Sequence, residues 1–156
     1  MKKLVLLVVI GWMSVMTMTV KAQAVAFNGG YSFDLNHGAH PSRTDFSIDY
    51  FDRGLFGFGV KFPSAYDSRF ELNAHGGVNF YWSDFWISPQ VEIAYNHEIL
   101  HEFAVGAGLQ ANYRIVGPLG VFTKIRWLSP VGFEPLSFGP GGTTTLSVGL
   151  SMFWFR

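Results

Sequence analysis

The chain has 156 residues, enough for one domain, with 49% hydrophobic and only 14% charged residues and a formal net charge of zero. Its 11 Lys and Arg are scattered without a basic stripe, which excludes a nucleic-acid footprint, and the lack of cysteine excludes a disulfide scaffold or a thiolate metal site. The combination of 16 Phe and 18 Gly favours strands and tight turns, because glycine costs a helix interior about 1 kcal/mol relative to alanine.

The first segment reads as an address. Met1-Lys2-Lys3 gives a positive start, an apolar run extends from Leu4 to Val20, and Val20-Lys21-Ala22 sets Val and Ala where a signal peptidase needs small residues. The pattern predicts a signal peptide over 1–22 and a mature domain over 23–156. The competing reading, an N-terminal membrane anchor, fits less well because Lys21 closes the run. Loss of Lys2, Lys3 and Lys21 leaves the mature domain with a net charge of −3. Past this segment no apolar stretch reaches the roughly 18 residues of a transmembrane helix. A mature chain that crosses a membrane must then do so as a closed barrel, because unpaired backbone groups are too costly in hydrocarbon.

The predicted strands follow in order. Weak alternation marks 24–35 and 44–51. Over 54–62, Phe56, Phe58, Val60 and Phe62 share one face while Gly57, Gly59 and Lys61 share the other. Residues 69–82 set Phe70, Leu72, Ala74, Val78, Phe80 and Trp82 against Arg69, Glu71, Asn73, His75, Asn79 and Tyr81. Residues 85–96 set Ile87, Pro89, Val91, Ile93 and Tyr95 against Ser88, Gln90, Glu92, Ala94 and Asn96. The clearest strand is 102–115, where Phe103, Val105, Ala107, Leu109, Ala111, Tyr113 and Ile115 alternate with small or polar residues. Residues 119–129 place Leu119, Val121, Ile125 and Trp127 opposite Lys124 and Arg126, and 143–156 closes the series. Tight turns at Asp52-Arg53-Gly54, Ser83-Asp84 and Val116-Gly117-Pro118 alternate with longer links at 36–43, 63–68, 97–101 and 130–142. The expectation is an all-β, eight-stranded, antiparallel up-and-down transmembrane barrel, its short turns and both termini on the periplasmic side.

On this architecture, and on the aromatic-rich closing strand Leu146 to Arg156, the chain resembles the small eight-stranded outer-membrane proteins of the OmpA transmembrane-domain and OmpX type. The resemblance covers nearly the whole mature chain and implies a bacterial outer-membrane location, with membrane lipid, lipopolysaccharide and the outer-membrane assembly machinery as partners. Members of that class usually end on an aromatic residue that the machinery reads; here Phe155 is followed by Arg156, a small departure from that pattern.

The alternative, a soluble sandwich or lipocalin-like barrel with its apolar face inward, fails on volume. An eight-stranded interior is only wide enough to be filled by side chains, and the Phe, Leu, Val, Tyr and Trp of the apolar face are too bulky for it. The polar face carries Asp34, Asp45, Asp49, Lys61, Arg69, Glu71, Glu92, Glu102, Arg114, Lys124 and Arg126. This near-balance predicts interior ion pairs, with Glu71, Glu92, Glu102, Arg69, Arg114, Lys124 and Arg126 as members. Trp82, Trp86, Tyr81, Trp127 and Trp154 lie near strand ends and are expected at the membrane interface.

Three stretches could carry chemistry. His97-Glu98-Ile99-Leu100-His101 matches the zinc-protease pattern HExxH, which needs both imidazoles on one helical face, a third ligand and the Glu to activate water. Its flanks read as strands and no ligand follows at suitable spacing, so a hairpin loop is expected. Zinc held by His97, His101 and Glu98 stays as an alternative, as does looser metal binding by His37, His40, His97 and His101 in the outer loops. His40-Pro41-Ser42 offers the His and Ser of an outer-leaflet lipid A deacylase or acyltransferase without the residues that surround them in such enzymes. Pro140-Gly141-Gly142 lacks the Lys-Ser or Lys-Thr of a phosphate cradle. The reading is therefore a non-enzymatic barrel without a cofactor, structural or meeting a surface partner through its outer loops. The alternatives are a lipid A-modifying enzyme and a secreted zinc metalloprotein.

Overall fold

A computed structural model describes residues 24–36, 41–52, 54–64, 70–97, 102–132, 137–138 and 142–155. The strands are β1 (Ala24–Asp34), β2 (Pro41–Phe51), β3 (Gly54–Phe62), β4 (Phe70–Val78), β5 (Phe80–Trp82), β6 (Phe85–His97), β7 (Glu102–Val116), β8 (Leu119–Gly132), β9 (Ser137–Phe138) and β10 (Thr143–Phe155). Strands β4 and β5 form one barrel strand interrupted at Asn79, whose side-chain oxygen accepts a hydrogen bond from Ser88 Oγ at 2.6 Å. Strand β9 is a two-residue piece paired with the end of β8. The eight barrel strands pair antiparallel with their neighbours in sequence, and β10 pairs both β8 and β1, which closes the ring. Among the described residues, closure leaves the barrel wall without an open edge, as hydrocarbon requires.

Two strands run further than their periodicity indicates. Strand β2 begins at Pro41, so the first long link is shorter than 36–43, and β8 continues to Gly132 rather than stopping at 129. The β1–β2 register shifts between Ser32 and Phe33, a bulge that alternation in one strand cannot reveal. The signal-peptide segment 1–22 lies outside the described residues.

The register fixes the shape. From Ala24 the directly opposite residues run Phe51, Leu55, Gly77, Gln90, Gly108, Arg126, Thr145 and back to β1 at Asp34, ten residues further along the strand. A stagger of that size over eight strands tilts each by about 40° from the barrel axis. On β6 the outward residues from Phe85 to Tyr95 then cover about 25 Å of height, the apolar band an outer-membrane barrel presents.

Alternation sends apolar side chains outward on every strand. Phe27, Phe46, Ile48, Phe58, Val91, Ile93, Leu109, Ile125 and Leu150 are all exposed. Aromatic rings gather at both margins of this band. Trp82 stacks on Phe85 at the short-turn end, with Tyr113 and Trp154 at similar height. Phe62 with Phe70, and Tyr95 with Phe103, meet at the other end at 5.8 and 5.0 Å between centroids. Trp86 and Tyr81 do not join the belt as the sequence suggested. Trp86 shares the inward parity of Ser88, Gln90 and Glu92, and it packs in the lumen against Phe51 and Phe153 at 5.6 and 4.8 Å, with Tyr81 beside it. Ala24, Ala26 and Leu55 complete an apolar plug at the short-turn end.

Candidate functional site

Above the plug the lumen turns polar. Asp49, on β2, accepts hydrogen bonds from Asn28 Nδ2 at 2.7 Å and Gln110 Nε2 at 2.9 Å, and it meets His75 Nε2 at 2.9 Å. Gly57 makes room for this pair, because a Cβ there would fall onto Asp49 Oδ1 and the His75 ring. Asn28 in turn accepts from Ser151 Oγ at 2.6 Å, so the layer ties β1, β2, β4, β7 and β10 together.

Higher still lies the charged layer. Lys61 Nζ pairs with Asp45 Oδ2 at 3.1 Å and donates to Ser32 Oγ at 2.7 Å and Ser147 Oγ at 3.2 Å. Ser147 Oγ donates to the same Asp45 oxygen at 2.7 Å. Arg126 bridges Glu71, at 2.7 Å, to Glu92, and its Nε donates to Thr145 at 2.9 Å. Lys124 pairs with Glu92 at 2.9 Å and Arg43 with Glu71 at 3.0 Å. On the β6–β8 side Ala94, Ala104 and Leu128 cap this layer with apolar surface.

Of the residues expected to pair inside the barrel, Glu71, Glu92, Lys124 and Arg126 come together in this network. Arg114 does not. It sits at the short-turn rim, half-exposed, and pairs with Asp84, its Nε donating to Asp84 Oδ1 at 2.7 Å. It is near the end of β7 beside the Ser83–Asp84 turn, where its backbone N–H also bonds the Asp84 carbonyl at 2.8 Å, so its partner lies at the rim. Arg69 and the side chain of Glu102 lie outside the described residues. Arg43 was missed because the second strand read from 44. Its position two residues before Asp45, on the same parity, was the available signal. His75 and Asp49 were on the polar face but unremarked as a pair.

His97 ends β6 as a strand residue paired with Phe70, so the HExxH stretch does not begin on a helix. Glu98 and His101, the side chain of His97, and the loop histidines His37 and His40 lie outside the described residues.

A lysine within hydrogen-bond reach of a serine and a carboxylate has the ingredients of an activated nucleophile. Ser32 is 0% and Lys61 1% exposed, so no substrate reaches them. The same holds along the lumen, where Phe51, Phe153, Gln110, Glu71, Glu92 and Arg126 are all at 2% or less. Among the described residues the interior is a buried ionic core. Breaking one buried pair by removing a partner costs about 3–5 kcal/mol, because the remaining charge stays buried without compensation.

Lipid-facing apolar walls around a buried ionic lumen define an eight-stranded transmembrane β-barrel. No protein-family model matches the chain, and no curated protein does. Solved structures do. A de novo designed transmembrane β-barrel superposes with a TM-score of 0.55 at 16% identity, covering 88% of this chain and 98% of the design. A second designed barrel, solved in solution, gives 0.54 at 11% identity over 86% and 97%. Neisserial surface protein A gives 0.45 at 11% identity over 84% and 94%. The likeness to the designed barrels is one of fold.

Proposed function

We propose that this chain is a non-enzymatic barrel of the bacterial outer membrane, related in plan to the OmpA and OmpX type, that acts structurally and through its outer loops. The observation that carries the reading is the filling of the lumen: among the described residues an aromatic plug lies beneath a network of buried ion pairs, and the Lys61–Ser32 pair within it is buried from any substrate. Its contacts are then membrane lipid and lipopolysaccharide around the wall, the assembly machinery at the closing strand, and a surface partner at the loops. The even strand count, the apolar band about 25 Å high and the signal-peptide pattern of residues 1–22 support an outer-membrane site.

The test has two arms. The membrane fraction run on a detergent gel should show a band that shifts on boiling, and purified protein in a planar bilayer should carry no steady current. A soluble product without the shift overturns the membrane reading. A stable open channel overturns the structural one. Lipid A acylation that changes with expression of the protein would instead support an enzyme.

A further inference from the structure

The three short turns differ in chemistry. Asp52-Arg53-Gly54 joins β2 to β3 and Ser83-Asp84 joins β5 to β6, and both are polar. Val116-Gly117-Pro118-Leu119 joins β7 to β8 with no polar side chain at all. Ile115, Val116 and Leu119 are 59%, 66% and 54% exposed, among the barest apolar side chains of the described residues. Gly117 takes a φ of 54°, which makes the tight reversal possible without a longer polar loop.

The apolar surface does not stop at this turn. Ile115 continues the outward face of Tyr113 on β7, and Leu119 lies beside Met152 on β10, with Trp154 two residues further on. Following the barrel register, Val116 lies within about 5 Å of the height of Trp82 and Trp154, the rings that mark the membrane margin. Asp52, at the turn four strands round the ring and so diametrically opposite, differs from it in height by a similarly small amount. Two turns at nearly one level thus show opposite chemistry on opposite sides of the barrel.

We infer that the β7–β8 turn is a lipid-binding element: it is immersed in the periplasm-facing leaflet while the β2–β3 turn stays in water, so the barrel leans toward β7 and β8. Continuity with the lipid-facing wall selects lipid as the occupant. The half-exposed Arg114–Asp84 pair borders the patch toward β6, but through Tyr113 and Met152 the patch merges into the apolar band above it. The inference rests on the membrane reading of the barrel.

The chain has no cysteine, so single sites report cleanly. Val116→Cys, Leu119→Cys, Asp52→Cys and Leu109→Cys each carry a nitroxide in vesicles of phosphatidylethanolamine and phosphatidylglycerol. Collisions with oxygen, which concentrates in lipid, are compared with those of a water-soluble nickel chelate. The label at Leu109 should be lipid-like, which checks insertion by itself. Labels at Val116 and Leu119 should resemble it, with an oxygen-to-nickel ratio severalfold above that at Asp52. A ratio at Val116 and Leu119 equal to that at Asp52, with Leu109 still lipid-like, overturns the inference and leaves the barrel intact. Shielding that arises only on adding periplasmic extract overturns it too, in favour of a protein partner.

Discussion

Arg126 and Glu71 meet at 2.7 Å across the lumen, from strands β8 and β4 that share no hydrogen bonds, and both side chains are 1% exposed. Arg126 also bonds Glu92 and Thr145, so one guanidinium links strands from three sides of the ring. Contacts of this kind hold the wall to a single diameter. Removal of the arginine leaves two carboxylates buried without their shared partner. Arg126→Met is therefore expected to lose about 3–5 kcal/mol of stability. Urea unfolding of the barrel in lipid, followed by the loss of its heat-modifiable band, measures it.

The Lys61–Asp45 pair offers the complementary experiment. Lys61→Met alone strands the Asp45 carboxylate among Ser32, Ser147 and the remaining cations, and should cost several kcal/mol. Lys61→Met with Asp45→Leu removes both charges and should recover most of that loss, because a buried pair is often no more stable than an apolar replacement of similar volume. A double variant less stable than either single variant would show that the pair is a net stabiliser.

Glycine positions separate the two faces. At Gly57 a methyl group would strike Asp49 and His75, whereas at Gly76, on the outward face, the nearest atom is the Leu55 carbonyl at 3.7 Å. Gly57→Ala should lose about 1–3 kcal/mol through overpacking, and Gly76→Ala should change stability by about 0.5 kcal/mol or less. The two unfolding midpoints in the same lipid decide it.

Tryptophans do the same for the plug. Trp86 is buried against Phe51 and Phe153, while Trp154 is 68% exposed on the wall. Trp86→Ala should cost about 3–5 kcal/mol, the range for a large aromatic removed from a packed core. Trp154→Ala should cost less in detergent, where the belt has no defined interface to hold. Equal losses would contradict a packed plug.

The wall was legible in the sequence because a strand's outward and inward sets differ sharply here. Seven apolar residues on one face of 102–115, against small or polar ones on the other, fix both the strand and its facing. The lumen was legible only as a list. Which carboxylate meets which cation depends on a ten-residue stagger accumulated over eight pairings, and no single strand contains it. Trp86 shows how a local preference misleads: its nearness to a strand end suggested the interface, but parity with Ser88 and Gln90 sends it inward. Arg43 was lost to a strand boundary, and Arg114 pairs with Asp84 at the rim rather than within the charged layer because parity carries no information about height.

The central claim is the orientation of the wall, and labelling β7 by a photoactivated lipid probe tests it without substitution. In vesicles, carbene adducts should map by mass spectrometry to Phe103, Val105, Leu109 and Tyr113, and should be absent from Ala104, Gln110 and Asn112. Adducts on Gln110 and Asn112, or none on Leu109 and Tyr113, would contradict it.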